Sequence, residues 1–288
     1  MLGRITLAMA ALLIIWGNMV AGLQAGLACP DWPLCHGSFV PPYRWDIYME
    51  FTHRVLAAIT GPLIVALSYS RFRTYAGAAR AVPVLAVAML AAEIIVGGFV
   101  VIFETPVKLT TFHFMTGFFI FSLTAIMAKH DGLKTRLAVG LDGPKMLTLG
   151  LGGLVFFQAA LGAFVRHSDA GLACPDFPTC QGRFLPIGLF GGSLIHYSHR
   201  LVAVLLAFTM LAVFAMTQSN ARFRALKESS ILLCFLAFVQ LAAGAVVVLT
   251  GLNFIATAVH LGVALGMVYV VVDMYGKESE AEAAAVLR

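Results

Sequence analysis

Residues 25–37 read AGLACPDWPLCHG, and residues 170–182 read AGLACPDFPTCQG. Ten of the 13 positions are identical at an offset of 145 residues, an agreement that chance does not give. The chain is therefore read as a tandem duplication. A helix that crosses a bilayer needs about 20 mostly apolar residues. Eight stretches around the two copies qualify: 5–24, 48–70, 82–103, 109–128, 146–165, 194–217, 230–249 and 254–274. Four fall in each half, so the repeated object is a four-helix unit. An even number of spans gives both copies one orientation, and the halves are expected to be parallel repeats related by an axis along the membrane normal. The expected fold class is all-α: a polytopic membrane protein with eight transmembrane helices as two tandem parallel four-helix bundles. Its expected divisions are an N-terminal half (1–128), a linker (129–145) and a C-terminal half with a cytoplasmic tail (146–288).

The composition of the 288 residues agrees: 60% are hydrophobic, 11% are charged, and the mean hydropathy is +0.92. A water-soluble globule needs more polar cover than this. An ordinary soluble enzyme, a disordered chain and a nucleic-acid-binding domain are thereby excluded, although the net charge is +5. The first span follows Arg4 as a signal peptide might, but it lacks a convincing cleavage site and its equivalent recurs mid-chain, so it is read as a retained helix.

Orientation follows from lysine and arginine. With the N-terminus inside, the inner segments hold Arg4, Arg71, Arg73, Arg80, Lys129, Lys134, Arg136, Lys145, Arg222, Arg224, Lys227, Lys277 and Arg288, thirteen against four outside (Arg44, Lys108, Arg166 and Arg183). This predicts cytoplasmic termini and outward-facing loops at 25–47 and 166–193.

Those loops carry Cys29 with Cys35 and Cys174 with Cys180. The outer side of a bacterial inner membrane is oxidising, so a disulfide within each loop is expected. A plain staple and a redox-active pair that exchanges with a partner both remain open. Cys234, alone within the seventh span, reads as packing.

Four of the eight histidines form a pattern. His53, His113, His199 and His260 each lie about five residues in from the outer end of an even-numbered span, roughly 6–9 Å below the hydrocarbon edge. Ligating side chains at membrane depth are costly and mark function. Two facing histidines on bundle helices are a common way to hold heme iron at both axial positions, and two copies imply two sites. Arg54 and Arg200 follow the first histidine of each pair. A guanidinium suits a heme propionate, and snorkelling to the interface is the competing reading.

The halves differ beside these histidines. MEFTHR places Glu50 three residues before His53, whereas IHYSHR places His196 before His199. A carboxylate near only one site suggests proton chemistry there, with a loop-anchoring role as the alternative. Glu93 in the third span corresponds to Gln240 in the seventh, and reads equally as a proton relay or a hydrogen-bonding group within the bundle. His36, His130 and His167 read as surface residues. Gly97, Gly98 and Gly244 read as sites of close helix contact.

Taken together, the eight spans in two homologous halves, the Glu-x-x-His of the second span and the single histidines of the fourth, sixth and eighth resemble heme A synthase. The likeness covers about residues 5–274, and the paired-cysteine loops match bacterial members. The resemblance implies oxidation of the C8 methyl of heme O to a formyl group by successive hydroxylations, giving heme A for terminal oxidases. It implies a resident heme b held by His199 and His260, with Arg200 beside it. The substrate heme would be held by His53 and His113, with Arg54 nearby and Glu50 as the catalytic carboxylate. Implied partners are heme O and the heme O synthase that supplies it, an electron acceptor that the residues do not name, and membrane lipid, with assembly into a homo-oligomer compatible. The implied location is the cell inner membrane. If both axial positions stay occupied, iron cannot take up oxygen without losing a ligand, which favours oxidation through the ring followed by attack of water. Three other readings compete: a bis-heme cytochrome between quinone and an outer partner, a thiol-oxidising membrane protein, and a heme carrier.

Overall fold

The computed structural model describes residues 1–132 and 143–286. Much of the expected linker, with Lys134 and Arg136, lies outside the described residues, as does Arg288.

Each expected span is a helix: α1 (Leu2–Gly22), α2 (Trp45–Thr74), α3 (Ala81–Ile102), α4 (Val107–Lys129), α5 (Gly143–His167), α6 (Gly191–Ser219), α7 (Lys227–Leu249) and α8 (Phe254–Val286). All eight contain stretches long and apolar enough to cross a membrane, and the chain is a multi-pass membrane protein. Local chemistry sets the ends. Pro106 opens α4 from an extended conformation, where its missing N–H costs nothing. At α8 the Asn253 side chain accepts from the Ile255 and Ala256 N–H groups, a side-chain N-cap. Several helices run past the apolar stretches: α2 begins with Asp46 and ends with Arg71 and Arg73, which suit the positive and negative ends of its dipole.

The chain divides into two compact units, Met1–Ala138 and Val139–Arg288. In the first, α1 packs on α2 and α4, and α3 packs on the same two helices, so α2 and α4 face each other across the bundle. In the second, α5 and α7 each pack on α6 and α8. The histidine-bearing helices are thus the diagonal pair of each bundle.

Deeper than the histidines, the first bundle closes on an apolar core that includes Ile64, Leu67, Tyr75, Ile120, Leu123 and Met127. The end of that bundle away from the cysteine loop is fastened by Arg71, which donates to the Met127 carbonyl at 2.7 Å and pairs with Asp131 at 2.5 Å, and by the Tyr75 hydroxyl on the His130 carbonyl at 2.8 Å. In the second bundle Lys277 pairs with Asp273 at 3.1 Å, and both reach Ser229. Large apolar residues such as Ile94, Phe112, Phe208 and Phe238 are exposed, as a lipid-facing surface requires.

Candidate functional site

The repeated sequence folds into a repeated loop. Each copy contains the disulfide, Cys29–Cys35 or Cys174–Cys180, and both are formed. Each also contains an aspartate that closes the turn. Asp31 accepts from the His36 and Gly37 N–H groups at 2.6 and 2.7 Å, and Asp176 accepts from those of Gln181 and Gly182 at 2.7 and 2.8 Å. The turn needs a left-handed backbone at His36 and Gly37 and again at Gln181 and Gly182, where glycine carries no Cβ penalty. These bonds shift the carboxyls: the Gly37 N–H lowers Asp31 below the ordinary carboxylate value, and the Thr179 hydroxyl, then the Gly182 N–H, hold Asp176 at about 2.

Each loop is bound to the helix that follows it by the arginine next to the first histidine. Arg54 donates to the carbonyls of Asp31 (2.7 Å), Leu34 (2.5 Å) and Cys29 (3.1 Å). Arg200 donates to those of Asp176 (2.7 Å), Thr179 (2.6 Å) and Cys174 (2.7 Å). The Nη donors that a propionate would use are here given to loop carbonyls. Sequence reasoning missed this role because a carbonyl cradle leaves no side-chain signature, although the invariance of Cys-Pro-Asp between the copies was the available signal.

Glu50 and His196 occupy the same place beside their loops, and each is only 4% exposed. Glu50 accepts from the Cys29 N–H at 2.7 Å with one oxygen and pairs with Arg54 at 2.5 Å with the other. His196 accepts from Arg200 at 3.2 Å, and the Cys174 N–H points to its other nitrogen at 3.4 Å. A neutral imidazole accepts at one nitrogen only, so the carboxylate can satisfy both groups and the imidazole cannot. A carboxylate offers about four acceptor sites, and the Ala28 N–H takes up part of what these two bonds leave.

The four histidines take matched places. His53 and His199 each lie eight residues beyond the first residue of their helices, and His113 and His260 six. His53 and His113 stand on the diagonal helices α2 and α4, and His199 and His260 on α6 and α8. Every ring rests against a glycine of a neighbouring helix. A Cβ built on Gly17, Gly97, Gly162 or Gly244 would lie 2.9, 3.1, 3.0 or 3.2 Å from Cε1 of His53, His113, His199 or His260, respectively. Gly97 and Gly244 thus make room for a ring within a helix contact. Gly98 takes the Trp32 ring from the loop, 3.0 Å from such a Cβ, rather than a neighbouring helix.

The rings are also short of partners. Nδ1 of His53 and His260 is buried without a hydrogen bond, and the buried Nδ1 of His113 has the Glu93 carboxylate as an ion-pair neighbour rather than an aligned hydrogen bond. Their polar neighbours differ: Glu93 lies 3.1 Å from His113, the Gln158 amide 3.0 Å from His199 Nδ1, and Gln240 3.3 Å from His260 Nε2. Among the described residues no group of three or more His, Cys, Asp or Glu is placed to hold a bare metal ion. Half-buried imidazoles on the diagonal helices of each bundle, three of the four with a buried and unbonded Nδ1, fit a group that brings its own equatorial ligands, as a porphyrin does.

The model of the cytochrome oxidase assembly protein family, COX15-CtaA, matches residues 43–272, from the start of α2 to α8. The chain belongs to this family. Relatives named heme A synthase include those of Shouchella clausii (30% identical, covering 86% of each chain) and Alkalihalophilus pseudofirmus (29%, 83% of each). A third, from Halalkalibacterium halodurans, is 26% identical over 90% of this chain and 89% of its own. All four histidines, Glu50, Glu93 and the second cysteine loop lie within the matched stretch, while Gly17 and the first cysteine pair precede it.

Proposed function

We propose that this chain is a heme A synthase, an oxidoreductase that takes the C8 methyl of heme O to a formyl group by successive hydroxylations. The observation that carries this reading is two histidine pairs alike in placement and unlike in their surroundings, with Glu93 against His113 and Glu50 one turn before His53 in one half, and Gln240 against His260 and His196 one turn before His199 in the other. A protein that only relays electrons needs no such difference.

The N-terminal half, residues 1–128, takes substrate heme O between His53 and His113. The C-terminal half, residues 146–288, takes heme b between His199 and His260. Bound there, heme b supplies one-electron chemistry. The matched histidines on the diagonal helices and the glycine beside each ring fit both assignments. Converting a methyl to an aldehyde releases protons as well as electrons, and the acceptor capacity of Glu50 that its bonds leave over can take a proton or orient a water. Arg54 holds that carboxylate and the loop above it in place. The buried sulfurs of both disulfides favour a structural role, because exchange needs access. The charge distribution supports an inner-membrane location with both termini in the cytoplasm and the cysteine loops outside.

Pigment extraction from cells that express the protein with a heme O source tests the proposal. Heme A appears if the reading holds. Heme O that persists unchanged beside a protein loaded with two hemes supports an electron-transfer cytochrome instead.

A further inference from the structure

The Glu93 carboxylate does not touch the outer loop, and the chemistry assigned to Glu50 makes no use of it. It sits on α3 with Oε1 3.1 Å from Nδ1 of His113 on α4. The hydroxyl of Thr116 donates to Oε2. Gly117 leaves the space the carboxylate fills, since a Cβ there would lie 3.0 Å from Oε1. In the second bundle the three corresponding positions hold Gln240, Val263 and Ala264. An amide, an aliphatic side chain and a methyl replace the acid, its hydroxyl donor and the gap that admits it. The first bundle therefore has a built carboxylate–imidazole pair, and the second has a neutral amide against its histidine.

We propose that Glu93 is a positioning residue that orients His113, leaves Nε2 for the iron, and strengthens the imidazole as a donor. A carboxylate on the far nitrogen of a ligating histidine raises its basicity, and a more basic axial ligand favours the ferric state. The iron of the N-terminal heme is then harder to reduce than it would be with glutamine at this position. Electrons leaving the substrate are biased towards the second heme, whose His260 has only Gln240 beside it. This inference rests on the proposed placement of hemes in both halves.

Protein purified with its resident heme b and loaded with heme O is titrated spectroelectrochemically as wild type, Glu93→Gln and Gln240→Glu. Glu93→Gln should raise the midpoint of the N-terminal heme by a tenfold shift in its reduction equilibrium, 59 mV for one electron, and leave the C-terminal midpoint unchanged. Gln240→Glu should lower the C-terminal midpoint. An N-terminal midpoint that does not move in Glu93→Gln overturns the proposal. If that variant binds no heme O, Gln240→Glu decides, and an unmoved C-terminal midpoint overturns it. The proposed activity fails separately, if wild type loaded with both hemes forms no heme A.

Discussion

The Cβ that Gly162 lacks would stand 3.0 Å from Cε1 of His199, tighter than nearly all packed Cβ contacts, so the ring would have to give way. The ring is held where it is by the emptiness of the helix beside it. The same relation joins Gly17 to His53, Gly97 to His113 and Gly244 to His260. Adding a methyl to a packed site costs about 1–3 kcal/mol. Gly162→Ala should therefore lose heme b from the purified protein, with heme affinity about tenfold or more weaker. Gly17→Ala should keep heme b and bind heme O more weakly. Optical heme titrations of both variants check this, and equal loss of both hemes in either variant would contradict the assignment of one heme to each half.

Glu50 joins loop anchoring to the proposed proton chemistry, and two substitutions separate these roles. Glu50→Ala leaves the Cys29 N–H and the Arg54 guanidinium short of a partner, at about 1–3 kcal/mol for a buried orphan. Glu50→Gln keeps an acceptor for Cys29 and removes the charge. Both should accumulate heme O while retaining heme b. Normal heme A yield from Glu50→Gln would leave Glu50 with the anchoring role alone.

The disulfides share their loops with an aspartate turn and an arginine cradle. Replacing Cys29 and Cys35 together by serine should lower thermal stability by about 2 kcal/mol, from the lost restraint on the unfolded chain, and leave heme A formation intact. Turnover that vanishes while the fold and heme b persist would assign the pair a redox role.

Acid should release the second loop in a defined range. Asp176 is held at about 2, below its unfolded value near 4, so its stabilising contribution is complete above about pH 4. That contribution falls away as the pH drops towards 2. Asp176→Asn should be less stable at neutral pH and should lack this acid-range loss. Thermal melts of the two proteins between pH 6 and pH 2 measure the difference.

Much of this site was legible before any coordinates. The four histidines stand out because an imidazole is conspicuous within an apolar span, and the duplication sets them in register. The exchange of Glu50 for His196 was visible for the same reason. The bonds of Arg54 and Arg200 were not, because their acceptors are backbone carbonyls, which every residue has. Gly17 and Gly162 were also missed, since a glycine in an apolar helix looks alike whether it faces lipid, a helix or a ring. Glu93 was noticed as an oddity, and only its distance to His113 distinguished a ligand-directed carboxylate from a general hydrogen-bonding group.

Chain-local properties set the eight helices, their division into two like halves and the matched places of the four histidines along them. Those properties follow from local hydropathy, the fixed rise per residue and an offset between copies. The tertiary structure decided which helices are diagonal in each bundle, which glycine meets which ring, and that Glu93 rather than Glu50 stands against a histidine. Those contacts depend on the rotation of each helix about its axis and on its choice of neighbours. Both are set by side chains far apart in the chain, packing together all at once.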